Sequence, residues 1–382
     1  MRKFVIILSP FLMSICALGQ ENILQQLHMQ IHGSLAEGVL YGSGNNYLAA
    51  DTTDGTAKWD EGSLSVTSAI SDKFRVGAQA HSWMLGKLGR QNIELDWAYG
   101  DYKFRSWFGV RAGQVKTPFG LYNEVQGVDS VTPWALLPQS LYPTDMRSFT
   151  LSHIGGVLYG EIGLGKHLGA LSWSAFGGRR TQRRNEGFVM TMASEGIALG
   201  DCAGPIAGAD VRWKAPVDGF LIGTAYSYTD LSAPNAMLGP MPFPVGTRLT
   251  QEQLYAQYEK GKLTLSAEGR LSPVRSTTGP IITDEPVHSW YVMADYRVAN
   301  KLTLGSYYSH SRLFPPGGNA SNPSNYLKDV TASTRYDFNR FLYVKLEGHY
   351  IDGNSMGFYQ QVNPEGFQRV TRLMLARIGF AF

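Results

Sequence analysis

Leu373-Met374-Leu375-Ala376-Arg377-Ile378-Gly379-Phe380-Ala381-Phe382 is the stretch whose reading decides the fold. Counted back from Phe382, every second residue is apolar: Phe380, Ile378, Ala376 and Met374. Arg377 falls in the opposite set. An apolar set with a period of two is the pattern of a strand that shows one face to an apolar medium. The strand ends the chain on an aromatic ring.

The same alternation recurs upstream in segments of about ten residues, and helical periodicity is nearly absent. Sixteen segments read as strands: 27–41, 63–70, 74–84, 91–99, 104–115, 154–162, 169–178 and 206–214, then 220–230, 251–260, 263–271, 287–298, 302–311, 325–337, 341–352 and 369–382. Short turns such as 71–73, 100–103, 261–262 and 299–301 alternate with long stretches rich in Gly, Pro, Ser and Asn, such as 179–205, 231–250 and 353–368. Short periplasmic turns and long extracellular loops are the asymmetry of transmembrane barrels. The expected fold is therefore all-β, a transmembrane antiparallel β-barrel of about 16 strands. An even count places both termini in the periplasm.

Parity assigns the faces. Leu342, Val344, Leu346 and Tyr350 are expected outward, with Lys345, Glu347 and His349 inward. Trp290, Val292, Tyr296 and Val298 are expected outward, with Asp295 and Arg297 inward. Ile93, Leu95, Trp97 and Tyr99 are expected outward, with Glu94 and Asp96 inward; segment 220–230 fits either parity. An Arg or Lys turned to lipid at mid-depth costs about 2–4 kcal/mol, which makes the alternation compulsory in a spanning strand. Tyr99, Trp213, Tyr258 and Tyr336 fall at one set of strand ends, and Trp290, Tyr308, Tyr326 and Tyr350 at the other, as interfacial girdles require.

Composition agrees. No internal run reaches the roughly 20 apolar residues of a membrane helix, and mean hydropathy is −0.16, the near-zero value that alternating strands produce. Residues 1–19 read as a signal peptide, with Arg2 and Lys3 before the apolar stretch Phe4 to Ile15 and small residues at Ala17 and Gly19. Residues 20–382 then form the barrel. Loss of Arg2 and Lys3 leaves 32 bases against 31 acids, so nothing in the charge points to nucleic acid. Cys202 alone survives cleavage, which excludes an intramolecular disulfide.

The longest early connection, Lys116 to about Ser148, follows the fifth strand. From Arg111 to Glu124 it carries R-x-G-x-x-x-T-P-F-G-L-Y-N-E, and from Leu137 to Tyr142 it carries L-P-Q-S-x-Y. Here the sequence resembles the Gram-negative outer-membrane porin superfamily, as the terminal Phe382 resembles the signature read by the barrel assembly machinery. Relatives often show an Arg-Asp pair after Asn-Glu, where this chain has Gln126-Gly127. The resemblance implies that 116–148 folds into the lumen and sets acidic residues against wall bases. Glu124, Asp129 and Asp145 are then the candidate loop acids. Arg111, Lys345 and Arg377 are the candidate wall bases of the constriction, and Arg75, Arg105 and Arg335 a lower basic tier near the turns.

The implied function is a water-filled channel for passive diffusion of ions and small hydrophilic solutes, assembled as a homotrimer among outer-membrane lipid and lipopolysaccharide. A substrate-selective porin for small anions or organic acids is the alternative; an enzyme or adhesin barrel is a weaker one. No nucleophile elbow and no phosphate loop is present, so no enzymatic activity and no cofactor are expected. Arg179, Arg180, Arg183 and Arg184 form a basic patch in an extracellular loop beside lipopolysaccharide, where pairing with phosphates and a plain solvated loop are equal readings. His28 and His32 share a strand face without further ligands, and no metal is assigned.

Overall fold

The computed structural model describes residues 28–319 and 321–382. The expected signal peptide lies outside the described residues. Sixteen long strands form one closed sheet. They are β1 (Met29–Ser43), β2 (Trp59–Ala69), β3 (Phe74–Leu85), β4 (Glu94–Arg105), β5 (Phe108–Lys116), β6 (Ser152–Gly165), β7 (Gly169–Thr181) and β8 (Ala203–Lys214). The second half comprises β9 (Phe220–Ala233), β10 (Val245–Lys260), β11 (Leu263–Ser272), β12 (Val287–Ala299), β13 (Leu302–Leu313), β14 (Tyr326–Asp337), β15 (Leu342–Gly353) and β16 (Val370–Ala381).

Each strand pairs antiparallel with its neighbour in sequence, and β16 closes on β1 through Ser34↔Ala381 to Ser43↔Arg372. Phe382 completes the seam by donating its N–H to the Gly33 carbonyl and accepting the Gly33 N–H. Closure leaves no open edge among the sixteen barrel strands, which is what a sheet in an apolar medium requires. The segments 274–278 and 281–284 extend β10 as a hairpin beyond the barrel.

The outward residues of the last strand are those expected: Met374, Ile378 and Phe380 are exposed while Arg377 is buried. Leu346 and Tyr350 are likewise exposed, and Lys345, Glu347 and His349 buried. In β9, left open by the sequence, Tyr226 points out and Ala225 and Ser227 point in.

Strand β4 departs from expectation. Gln79 pairs with Trp97 but Ala80 pairs with Leu95, so Asp96 is a bulge. One extra residue shifts the parity of all that follows. Trp97 and Tyr99 therefore turn inward rather than outward, and Trp97 donates from Nε1 to the Gln79 side chain at 3.0 Å. Outward residues of this strand are instead Leu95, Tyr102 and Phe104, all exposed. The expected turn at 100–103 is strand; the chain reverses at Ser106 and Trp107.

The long connections pack among themselves at one end. Leu40, Tyr47, Leu48, Trp83, Leu88, Tyr359 and Val362 form one apolar cluster with Ala135 and Leu136 of the β5–β6 connection. The short helix α1 (Gly187–Ser194) joins a second cluster with Cys202, Leu231 and Val245.

Candidate functional site

The connection 117–151 makes hydrogen bonds or ion pairs to inward-facing groups of β3 to β8, β11 and β14 to β16. Its path begins at Gly120, which holds φ +70 with the barrel wall so close that a Cβ would meet the Gln253 and Glu268 side chains. The conformation and the space both select glycine. The Gly120 N–H donates to Asp210 at 3.2 Å, the Leu121 N–H donates to Glu268 at 3.1 Å, and Tyr142 donates its hydroxyl to Glu268 at 2.6 Å. Gly-Leu-Tyr is thereby pinned to β8 and β11.

On the opposite wall the segment is tied by charge. Asp129 lies 3.0 Å from Lys345 and 3.1 Å from Arg377, and Tyr343 donates its hydroxyl to it at 2.7 Å. Arg377 also reaches Glu61 at 2.7 Å and stacks over Trp59. Lys345 donates further to the carbonyls of Asp129 and Trp134. Glu347 accepts the N–H groups of Ala135 and Leu136. Two acids and two bases thus offset one another in a nearly dry cluster; Lys345 places its further donors on the loop backbone, while the buried Nε of Arg377 has no partner among the described residues. Such a cluster tolerates burial because every charge is both paired and hydrogen-bonded.

The far end of the segment is held by three further contacts. Arg147 binds Asp96 at 2.7 Å and His81 at 3.0 Å. Ser148 donates to the buried carboxyl of Glu186, and Arg180 donates to the carbonyls of Phe149 and Thr150 and to the Thr117 hydroxyl. Arg180 therefore clamps both ends of the loop at once.

Wet space remains beside Glu124. A cavity of about 340 Å³ is lined by Lys103, Arg111, Lys116, Glu124, Glu161, Asp210 and Arg212, with Tyr159 and Pro118. Arg111 pairs with Asp101 at 3.1 Å and lies between the Tyr99 and Tyr159 rings; a quarter of its side chain is exposed. Glu124, 40% exposed, stands 3.8 Å from Arg212. A second opening of about 740 Å³ lies among Tyr122, Val131, Asp295, Arg297, Arg335 and the short turns near Asn300 and Asn339.

The expected site residues thus separate. Arg111 and Glu124 share the wet cavity, whereas Asp129, Lys345 and Arg377 share the dry cluster. Asp145 does not face a wall base: it is buried and accepts the Tyr359 hydroxyl, and burial pushes its carboxyl above the usual range. Arg335 lines the opening near the short turns and also donates to the carbonyls of Ser130 and Thr132, so it caps the loop from that side. Arg75 and Arg105 are exposed near the turns. The basic patch is dispersed, with Arg180 inward, Arg183 on Glu94 at 2.5 Å and Arg184 on Asp201 at 3.2 Å.

Sequence reasoning missed Asp210, Arg212 and Glu268 as wall partners of the loop, Arg147 as the loop's own anchor, and Glu61 and Asp101 as wall partners of Arg377 and Arg111. Inward parity flags Asp210, Arg212 and Glu268 once the strands are known. Arg147 carries no such signal, being a base within a loop read for its acids.

Comparison with solved structures places the architecture. A Salmonella typhi OmpF in complex with daunomycin superposes with a TM-score of 0.60 at 14% identity, covering 93% of this chain and 97% of that one. The fold is a porin fold. An anion-selective porin from Comamonas acidovorans gives a TM-score of 0.58 at 12% identity over 93% and 99% of the two chains. A trimer form of OmpT, an outer membrane protein of Vibrio cholerae, gives 0.58 at 10% over the same shares. No family model and no curated protein matches the sequence.

Proposed function

We propose that this chain is an outer-membrane porin that passes ions and small hydrophilic solutes along the wet side of the 117–151 segment. One observation carries the reading. The 117–151 segment is tied to inward-facing wall groups on two sides, and beside it Arg111, Glu124 and Arg212 stay partly exposed and line a common cavity. Charged rings at a narrow point set ion preference.

That cavity is lined by the bases Lys103, Arg111, Lys116 and Arg212 and the acids Glu124, Glu161 and Asp210. One base in excess supports a weak preference for anions. Lys345, Arg377 and Arg335 do not add to it, because the loop neutralises or caps them. Single-channel recording in planar bilayers tests the function. Discrete ohmic steps are expected, and a purified, folded protein that never conducts refutes it.

Saturation of the current by small carboxylates marks the selective-porin alternative, favoured only to the extent that Arg111 and Arg212 sit together. The homotrimer, periplasmic termini and contact with lipopolysaccharide belong to the same reading. So does recognition of Phe382 by the assembly machinery: its deletion should lower the heat-modifiable, folded fraction.

A further inference from the structure

The arginines of the wet cavity are anchored from behind and free in front. Arg111 donates through Nε and Nη2 to Asp101, at 3.2 and 3.1 Å. Arg212 donates through Nε to Asp210 and to the Tyr255 hydroxyl, and through Nη2 to the Gly120 carbonyl. Among the described residues the Nη1 group of each has no acceptor. Rings hold both guanidinium planes: Arg111 lies 4.6 Å from the Tyr99 centroid and 5.5 Å from that of Tyr159, and Arg212 lies 5.8 Å from that of Tyr255. Each planar fork is thereby fixed with one donor group unused. Lys103 lines the same cavity, and among the described residues its ammonium makes no hydrogen bond and no ion pair.

The acids divide differently. Glu161 is taken by Lys214 at 2.6 Å and by the Ser172 hydroxyl, and Asp210 by Arg212, Tyr255 and the Gly120 N–H. Glu124 is the exception. Among the described residues its carboxylate accepts no hydrogen bond, and Arg212 at 3.8 Å is its one ion-pair partner. It still acts electrostatically on Arg111, Lys116 and Arg212, so it stands among the cations. Lys116 is tied to the Glu124 carbonyl. The groups left for a solute are therefore three cationic, on Arg111, Arg212 and Lys103, and one anionic, on Glu124. Counting Asp101 and Lys214, which pair with Arg111 and Glu161, leaves the cavity at one base in excess.

We propose that this cavity is a binding site for an amino-dicarboxylate, a small solute with two carboxylates and one ammonium group. The proposal rests on the porin reading above, which brings solutes to the cavity, and names the class that the same site takes. The carboxylates meet the unused Nη1 groups of Arg111 and Arg212 and the ammonium of Lys103, as charge-assisted hydrogen bonds. The solute's ammonium meets Glu124. Its net charge of −1 offsets the one base in excess. A plain dicarboxylate sets Glu124 against an anion, and a zwitterion with a single carboxylate leaves cationic donors unfilled; a site of polar groups discriminates against an analogue that leaves them unpaired. The volume of about 340 Å³ lies at the small end of ligand clefts. Binding exchanges only the loose 3.8 Å pair, and the anchoring bonds stay in place. Such a site is occupied and vacated easily, as conduction requires.

The test uses purified full-length protein in detergent and reads solute binding by saturation-transfer NMR, which does not require conduction. The probes are glutamate, glutarate, which lacks the ammonium, and glutamine, which lacks the second carboxylate. Wild type should bind glutamate about fivefold more tightly than either analogue, the ratio that one partly exposed ion pair supplies. Glu124→Gln should abolish the advantage over glutarate and keep that over glutamine. Arg212→Gln and Lys103→Gln should do the reverse; Lys103 is exposed and unpaired, so its replacement leaves the fold untouched. Arg184→Gln, in an exposed loop pair, should bind all three probes as wild type does. Equal binding of glutamate and glutarate by wild type overturns the proposal, as does a preference over glutarate that survives Glu124→Gln. Discrimination against glutamine that survives both Arg212→Gln and Lys103→Gln also overturns it. Bilayer recording of the same preparations separates the two readings. A channel that conducts but binds none of the probes sinks this proposal alone, whereas a protein that binds glutamate as expected and never conducts sinks the porin reading.

Discussion

The two flanks of the loop use the same residue types to opposite ends. Against β14 to β16, Asp129, Lys345 and Arg377 are paired, hydrogen-bonded and nearly dry, with Glu61 of β2 beside them at the edge of a cavity of about 100 Å³. Against β4 to β8, Arg111, Glu124 and Arg212 are paired more loosely and keep water on one side. Charge on an inner wall is thus no indicator of conduction by itself. A dry pair fixes structure, because removing one partner strands the other in a medium that cannot solvate it. A wet pair is weak in stability but acts on a passing ion within a Debye length of about 8 Å.

The largest effect should come from breaking the dry side. Asp129→Ala leaves Lys345 and Arg377 without their loop partner, and should cost about 3–5 kcal/mol of loop docking. Single-channel current should become larger and noisier, while the heat-modifiable barrel is retained. A quiet channel of unchanged conductance would show that the cluster does not hold the loop.

Next comes the wet side, where selectivity should move and stability should not. Arg111→Glu should shift the reversal potential in a potassium chloride gradient toward potassium, and Arg212→Glu should do the same. Lys345→Gln should shift it little, because that ammonium is already neutralised. A shift from Lys345→Gln as large as that from Arg111→Glu would erase the distinction between the flanks.

A smaller effect concerns pH. Burial raises the Glu186 carboxyl to about 7, against the donation it receives from Ser148 and Gln182. A carboxyl raised by folding favours the protonated folded form, so its contribution is complete below the ordinary carboxylate range and is lost as pH rises toward 7. Protection of the Ser148 amide, corrected for intrinsic base-catalysed exchange, should fall across that window in wild type and stay constant in Glu186→Gln. The smallest effect belongs to Arg184→Ala. Its pair with Asp201 is exposed, and thermal stability should change by less than about 1 kcal/mol.

The strands were legible in the sequence because lipid on one side and polar groups on the other enforce alternation, as in Met374 to Phe382. What escaped was any local breach of that rule. The bulge at Asp96 inverted Trp97 and Tyr99, and no composition signal distinguishes a bulged aspartate from a regular one. That the loop buries apolar residues was legible from Trp134 and Leu136. Its partners were not. Asp145 reads as an acid awaiting an arginine, yet Tyr359, more than two hundred residues away, takes it. Arg180 reads as surface charge, yet the turn of β7 brings it to the loop's two ends.

The most direct test of the central claim is cysteine accessibility at a wet and at a dry position of the inner wall, with Cys202→Ser in the background. Glu124→Cys on the wet side and Ser309→Cys, buried on the inner face of β13, would each be exposed to a bulky charged thiol reagent during single-channel recording. The account predicts that Glu124→Cys reacts and its current falls by more than half, while Ser309→Cys neither reacts nor changes. Equal blockade at both positions, or full labelling at Glu124→Cys with an undiminished current, would contradict it.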